Sequence, residues 1–178
     1  CYPYLASYLA QEVESLGLEI TSTQATSVIT NGTLEDCIRM NYGLRTASRV
    51  LFTLRSFPAE NISSLYEGVT AFPWEKYIDT DGYFSVTSSA SHPDVRNTMF
   101  LNMRVKDAIA DRFMKNFSKR PDSGGEKRGF SVHVLWKDNV VNLSIDTSGE
   151  SLSKHGYRLH PFKAPLQESL ASGILAAT

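Results

Sequence analysis

The stretch TLEDCIRMNYGLRTASRVLFTLR, residues 33–55, carries a helix start, a helix stop and a strand in one run. Thr33 is a good N-cap, and Asp36 stands three positions on, where its carboxylate can reach back to the Thr33 N–H. Leu34, Cys37 and Ile38 recur at helical spacing and predict one apolar face, and Gly43 closes the helix. Residues 49–55, apolar and β-branched, then predict a strand. Upstream, Leu5, Leu9, Val13 and Leu16 repeat at helical spacing, with Gly17 as the stop. Two short strands are predicted at 18–22 and 26–30, ahead of the turn at Asn31-Gly32. Helix, strand, strand, helix, strand is a ferredoxin-like βαββαβ unit short of its first strand. That strand is expected to precede Cys1, which stands where an initiator Met would.

Beyond it, Pro58 and the polar residues around Asn61 predict a linker. A short helix follows at 64–69, a second turn at 74–78 and an alternating strand at 83–89. The longest helix is predicted at 98–117, with Leu101, Val105, Ala108, Ile109 and Phe113 as its apolar stripe. Arg104, Asp107, Asp111 and Lys115 fall on its other face, spaced to pair with one another. The loop SKRPDSGGEKR (118–128) has too much Gly, Pro and Ser to be regular. Strands at 130–136 and 140–146 are joined by a tight turn at Asp138-Asn139. Leu166, Leu170 and Ile174 start a last helix that is expected to have nothing to pack on. The fold class is α+β. Its expected domains are 1–58, 59–160 and a connecting segment 161–178.

Several functions are excluded. No uncharged apolar run nears the ~20 residues that span a bilayer, so no membrane association is expected. Cys1 and Cys37 make neither a disulfide framework nor a CxxC site, which fits a reduced, cytoplasmic protein. The histidines have no ligand spacing, so no metal is expected. Phosphate-loop, dinucleotide, HExxH and GxSxG patterns are missing. Asp146, Ser148 and His155 are triad residue types without triad geometry, and no catalytic residue is assigned. Trp74, Trp136, Tyr66, Phe72 and Tyr77 are placed in the core.

Charge is uneven. Residues 1–95 hold 5 Lys/Arg against 11 Asp/Glu, whereas 96–163 hold 13 against 7. A basic half suggests a polyanion partner. Lys106, Arg112, Lys115, Lys119 and Arg120 run down the long helix into the loop, and Lys154, His155 and Arg158 cluster after the last strand. Several basic side chains with backbone amides and small residues such as Gly124-Gly125 and Ser148-Gly149 are what phosphate contact requires. These eight basic residues are the candidate nucleic-acid contacts.

EGVTAFPWEKY (67–77), VKDAIAD (105–111), LSIDTSGESL (143–152), GYR (156–158) and the tail APLQESL (164–170) resemble the THUMP-containing RNA methyltransferases. The nearest group is the bacterial 23S rRNA guanine-N2 methyltransferases. The resemblance covers essentially the whole chain. It implies a ferredoxin-like unit followed by an α/β THUMP domain that binds structured RNA, 23S rRNA first among candidates. It carries over Lys106 and Asp107 on the helix, Asp146, Ser148 and Gly149 at the strand end, and Gly156, Tyr157 and Arg158. His155 departs from the family's usual Arg. The S-adenosylmethionine loop and the Asn/Asp-Pro-Pro motif of the family do not occur in these residues, so no cofactor is expected here and S-adenosylmethionine is implied for a further domain. Other readings are a THUMP module of a transfer-RNA thiolation or methylation enzyme, and a ferredoxin-like regulatory or small-molecule module without RNA.

Overall fold

A computed structural model describes residues 1–126, 128–154 and 166–178. The chain forms two compact units, one of residues 1–51 with 150–178, the other of residues 52–149.

In the first unit, α1 (Ala6–Ser15) buries Leu9 and Val13, and Gly17 leaves it at φ +80°. β1 (Ile20–Thr23) and β2 (Val28–Thr30) pair antiparallel. α2 (Leu34–Gly43) starts with both halves of the expected Thr33–Asp36 capping box. Its buried face differs from the expected one. Cys37 and Met40 are buried, while Leu34 and Ile38 face solvent together with Tyr42. Leu34 and Ile38 lie four residues apart on one face, and Cys37 and Met40 define another about 100° away, so the short window allowed two assignments.

The last helix of this unit, α5 (Glu168–Ala176), does have something to pack on. Gly173 is buried so closely against Leu5 that a Cβ there would lie 2.3 Å from the Leu5 Cδ2.

The second unit holds a five-stranded sheet. Its strands are β3 (Leu51–Pro58), β4 (Tyr83–Ser91), β5 (Asp122–Gly124), β6 (Phe130–Lys137) and β7 (Val140–Asp146), in the order β3-β7-β6-β4-β5. β4 runs parallel to β5 and β6, and β6 antiparallel to β7. Asp138 and Asn139 both take positive φ, 50° and 59°, which is the tight turn expected between β6 and β7. α4 (Thr98–Phe117) is the crossover from β4 to its parallel neighbours, and α3 (Ile62–Thr70) packs beside it. Leu65, Val69, Trp74, Leu101, Val105, Ile109, Phe113, Val132, Val134, Trp136 and Leu143 make one core without solvent contact.

Three expectations change here. β3 joins this sheet beside β7, so it does not complete a sheet with β1 and β2. Residues 58–61 are no linker: Ala59 is buried, and Asn61 caps α3 through a capping box with Ser64. The Gly-rich loop contains a strand, β5, because Asp122–Gly124 pair with Tyr83–Ser85.

Candidate nucleic-acid interface

The basic residues of α4 and its loop divide by what already holds them. Lys106 Nζ donates to the Gly124 carbonyl at 2.8 Å and ties the loop to the helix. Gly124 itself is not free to approach a phosphate, because its Cα sits under the Tyr83 hydroxyl, where a Cβ would lie 2.3 Å from the oxygen. The Glu126 N–H donates to that hydroxyl at 3.2 Å, and Arg128 lies over the Tyr83 ring at 4.2 Å. The loop is thus wrapped around one tyrosine, leaving Gly125 as the glycine of the pair with open space.

Arg112 is committed to the fold. Its Nε and Nη2 donate to the two Glu75 carboxylate oxygens at 2.8 and 2.6 Å, and Nη1 donates to the Thr70 carbonyl at 3.0 Å. A two-pronged pair of this kind locks α4 to the 3-10 turn Trp74–Lys76. The Arg112 hydrogen bonds hold Glu75 down at about 2, and the same contact pushes the guanidinium up. A carboxylate depressed on folding stabilises the fold above its unfolded pKa, near ~4.3, and loses that contribution as pH falls toward the folded value. Solvent reaches both side chains, so the pair contributes about 1–2 kcal/mol. Glu75→Gln should therefore melt lower than the parent at neutral pH, with the gap closing in acid below about pH 4. A gap that ignores pH would mean that the pair stabilises through shape alone.

Lys115 and Arg120 are exposed, and neither has an ion-pair partner among the described residues. Lys119 is exposed and paired with Asp81. Such exposed pairs open at little cost, so Lys119 remains available to a phosphate. Lys154 belongs to the first unit and pairs with Glu150 at 3.3 Å. His155 and Arg158, and Lys127 in the loop, lie outside the described residues.

At the end of β7, the buried Asp146 accepts the Ser148 N–H at 3.1 Å, and Gly149 follows at φ +65°. The aspartate and serine close a turn through the serine's backbone N–H, which positions the chain as it leaves β7. The second unit as a whole holds 12 Lys/Arg and 12 Asp/Glu, because acidic residues between Glu60 and Asp94 fold into the same body. Its basic character is therefore local, at the C-terminal end of α4 and the loop after it. Asp111 also departs from the expected pairing with Lys115: it accepts from the Tyr66 hydroxyl, with Arg104 over the Tyr66 ring at 5.1 Å.

A small α/β hairpin unit and a mixed-sheet α/β domain make up the chain, and Lys115, Lys119 and Arg120 form a local cationic surface at the end of α4 beside the glycine loop of the second. The chain belongs to the RlmL ferredoxin-like domain family over residues 1–51 and to the THUMP domain family over residues 59–146. It is 37% identical, over 98% of its length, to the ribosomal RNA large subunit methyltransferase K/L of Pseudomonas aeruginosa. It spans about a quarter of the length of such curated relatives, 24% in that case. Among solved structures it matches, over its full length, a predicted N6-adenine-specific DNA methylase from Listeria monocytogenes (TM-score 0.85, 29% identity, 47% of that chain). SMU.472, described as a methyltransferase complexed with SAH, matches with TM-score 0.79 and 26% identity, again over 47% of its chain.

Proposed function

We propose that this chain is the RNA-binding, substrate-presenting region of an S-adenosylmethionine-dependent methyltransferase that modifies guanine N2 in 23S rRNA, in the bacterial cytoplasm. One observation carries the reading. The alignment with the large-subunit rRNA methyltransferase of Pseudomonas aeruginosa runs through both units and α5 without leaving either out. The cofactor belongs, in this reading, to a part of the enzyme outside these residues. SMU.472 supports it, since the matched region is less than half of a chain solved with SAH. The fragment binds RNA and does no chemistry of its own.

Phosphate contact falls to Lys115, Lys119, Arg120 and Lys154, with His155 and Arg158 as further members of the proposed set. Each phosphate neutralised releases counterion, so the logarithm of the association constant should fall with log salt at roughly 0.7–0.9 per contact. Four contacts give a slope of about three. Filter binding with 23S rRNA fragments and with transfer RNA tests both the site and the partner. Arg120→Ala and Lys115→Ala should each lower the slope by close to one, whereas conservative changes at Arg112 should alter stability and leave the slope alone. Preference for transfer RNA would favour the tRNA-enzyme reading. A slope near zero would remove RNA altogether.

A further inference from the structure

A recess opens on the second unit where the C-terminal end of α4 meets the turn that follows Trp74–Lys76. Its volume is about 470 Å³, within the roughly 300–1,000 Å³ of pockets that hold small ligands. Ile78 and Phe113, both buried, give it apolar walls together with Phe117. The Phe117 ring is 47% exposed and lies 5.8 Å from the Phe113 ring, so part of its face is open. Asp79, Thr80 and Asp81 bring oxygen atoms to the same space.

The carboxylates around the recess are not equivalent. Glu75 has both oxygens taken by Arg112, and Asp81 is paired with Lys119. Asp79 is exposed, and its carboxylate makes no hydrogen bond or ion pair among the described residues. A carboxylate only accepts, so the group it takes must donate, and a phosphate is turned away. Phosphates have their place next door. The pair with Asp81 sets Lys119 at the rim, and Arg120 follows it. Ser118, at φ 54°, turns the chain between Phe117 and these cations, so an open aromatic ring and two phosphate contacts stand within four residues. An unstacked nucleotide divides in the same way: its base stacks on an aromatic ring and is read on its edge, while its phosphate sits on a cation.

From this arrangement we propose that the recess receives one unstacked guanine of the bound RNA, its face on the Phe117 ring and its Watson–Crick edge on the Asp79 carboxylate. The inference rests on the RNA-binding reading above and adds a base that is read to a backbone that is held. Guanine carries two neighbouring donors on that edge, N1–H and the N2 amino group, which match the two oxygens of one carboxylate. Adenine, cytosine and uracil each set an acceptor beside the donor, and that acceptor would face Asp79 unpaired. A cationic side chain of a protein partner is the poorer occupant, because Lys119 and Arg120 at the rim repel it.

The test is binding of the 178-residue chain to labelled heptauridylates whose central residue is guanosine, inosine or adenosine. Guanosine should bind about tenfold tighter than adenosine, with inosine, which lacks the N2 amino group, between them. Asp79→Asn should bring guanosine and adenosine to within about twofold of each other. Phe117→Leu keeps an apolar cover on Phe113 and removes the ring, so it should weaken all three oligonucleotides by about tenfold while the salt slope stays that of the parent. Melting curves check that both variants fold. Equal binding of the three oligonucleotides, or no binding of any, while 23S rRNA fragments bind with a salt slope of about three, overturns the guanine pocket and leaves the RNA-binding reading standing. A guanosine preference that survives Asp79→Asn also overturns it. Failure of every RNA to bind removes both.

Discussion

Trp136→Ala should cost about 4–5 kcal/mol and leave the second unit close to unfolding, since domains of this size hold only about 5–15 kcal/mol in all. Trp136 has no solvent contact and stands in β6 between Ala90 of β4 and Val141 of β7. Its indole N–H donates to the Ala59 carbonyl at 3.0 Å, and the Ala59 N–H donates to the Asn139 carbonyl at 2.7 Å. The His92 ring stacks on the indole at 3.9 Å, and its Nε2 lies 3.0 Å from Asn139 Oδ1. One side chain therefore joins the end of β3, the tip of the β6–β7 hairpin and the turn that leads to α4. Truncation removes the ring's contacts and also leaves the buried Ala59 oxygen without a donor, which adds about 1–3 kcal/mol unless water enters. Trp136→Phe separates the two effects, keeping most of the volume and losing only the donor. Trp74, the other tryptophan, is buried in the same unit and reports its unfolding by fluorescence in denaturant. A truncation costing under about 1 kcal/mol would show that β3 and the hairpin are held by something else.

This junction was only partly legible in the sequence. The alternation Val132, Val134, Trp136 marks a strand with one buried face, and Asp138-Asn139 marks its turn. Nothing in the chain says that residue 59 supplies the acceptor, because a pairing across 77 positions leaves no local trace. The same limit explains β3. Its composition announces a strand, yet which sheet a strand enters depends on partners far along the chain, here β7. Local signals fared best where the physics is local: the Thr33–Asp36 capping box and the limits of α4 are as expected. The candidate interface divides in the same way. Spacing located the cations on α4 but could not show that Glu75, 37 positions upstream, had already engaged Arg112. Nor does helical periodicity distinguish a core-facing methionine from an exposed one. The charges at 104, 107, 111 and 115 concealed the exposed Met99, Met103 and Met114 beside them.

Glu12→Ala should destabilise the first unit by about 2–4 kcal/mol, an effect out of proportion to a half-buried glutamate on a helix of modest length. One carboxylate oxygen, Oε2, accepts the Arg45 N–H at 3.1 Å, the Thr46 N–H at 3.1 Å and the Thr46 hydroxyl at 2.8 Å. Thr46 is completely buried, so its two donors have no solvent to turn to when the carboxylate is gone. Hydrogen bonds to a charged acceptor contribute about 1.5–3 kcal/mol, and abandoned buried donors carry a further penalty. The contact also fixes where the chain goes on leaving α2, because residues 45–46 open the segment that includes buried Ala47 and Val50. Arg39 works alongside, its Nη2 donating to the Leu16 carbonyl at the end of α1 at 2.6 Å. Both tryptophans lie in the other unit, so fluorescence is blind to this change, and native-state amide exchange is the suitable measurement. Exchange at Arg45 and Thr46 should quicken by about two orders of magnitude in Glu12→Ala, with α1 and α2 amides following if the unit opens as one. Glu12→Gln keeps the shape and an acceptor oxygen but not the charge, and should lose about half as much. If protection at Thr46 survives the alanine change, its donors have found another acceptor, and the helix-to-loop clamp is not what holds this unit together.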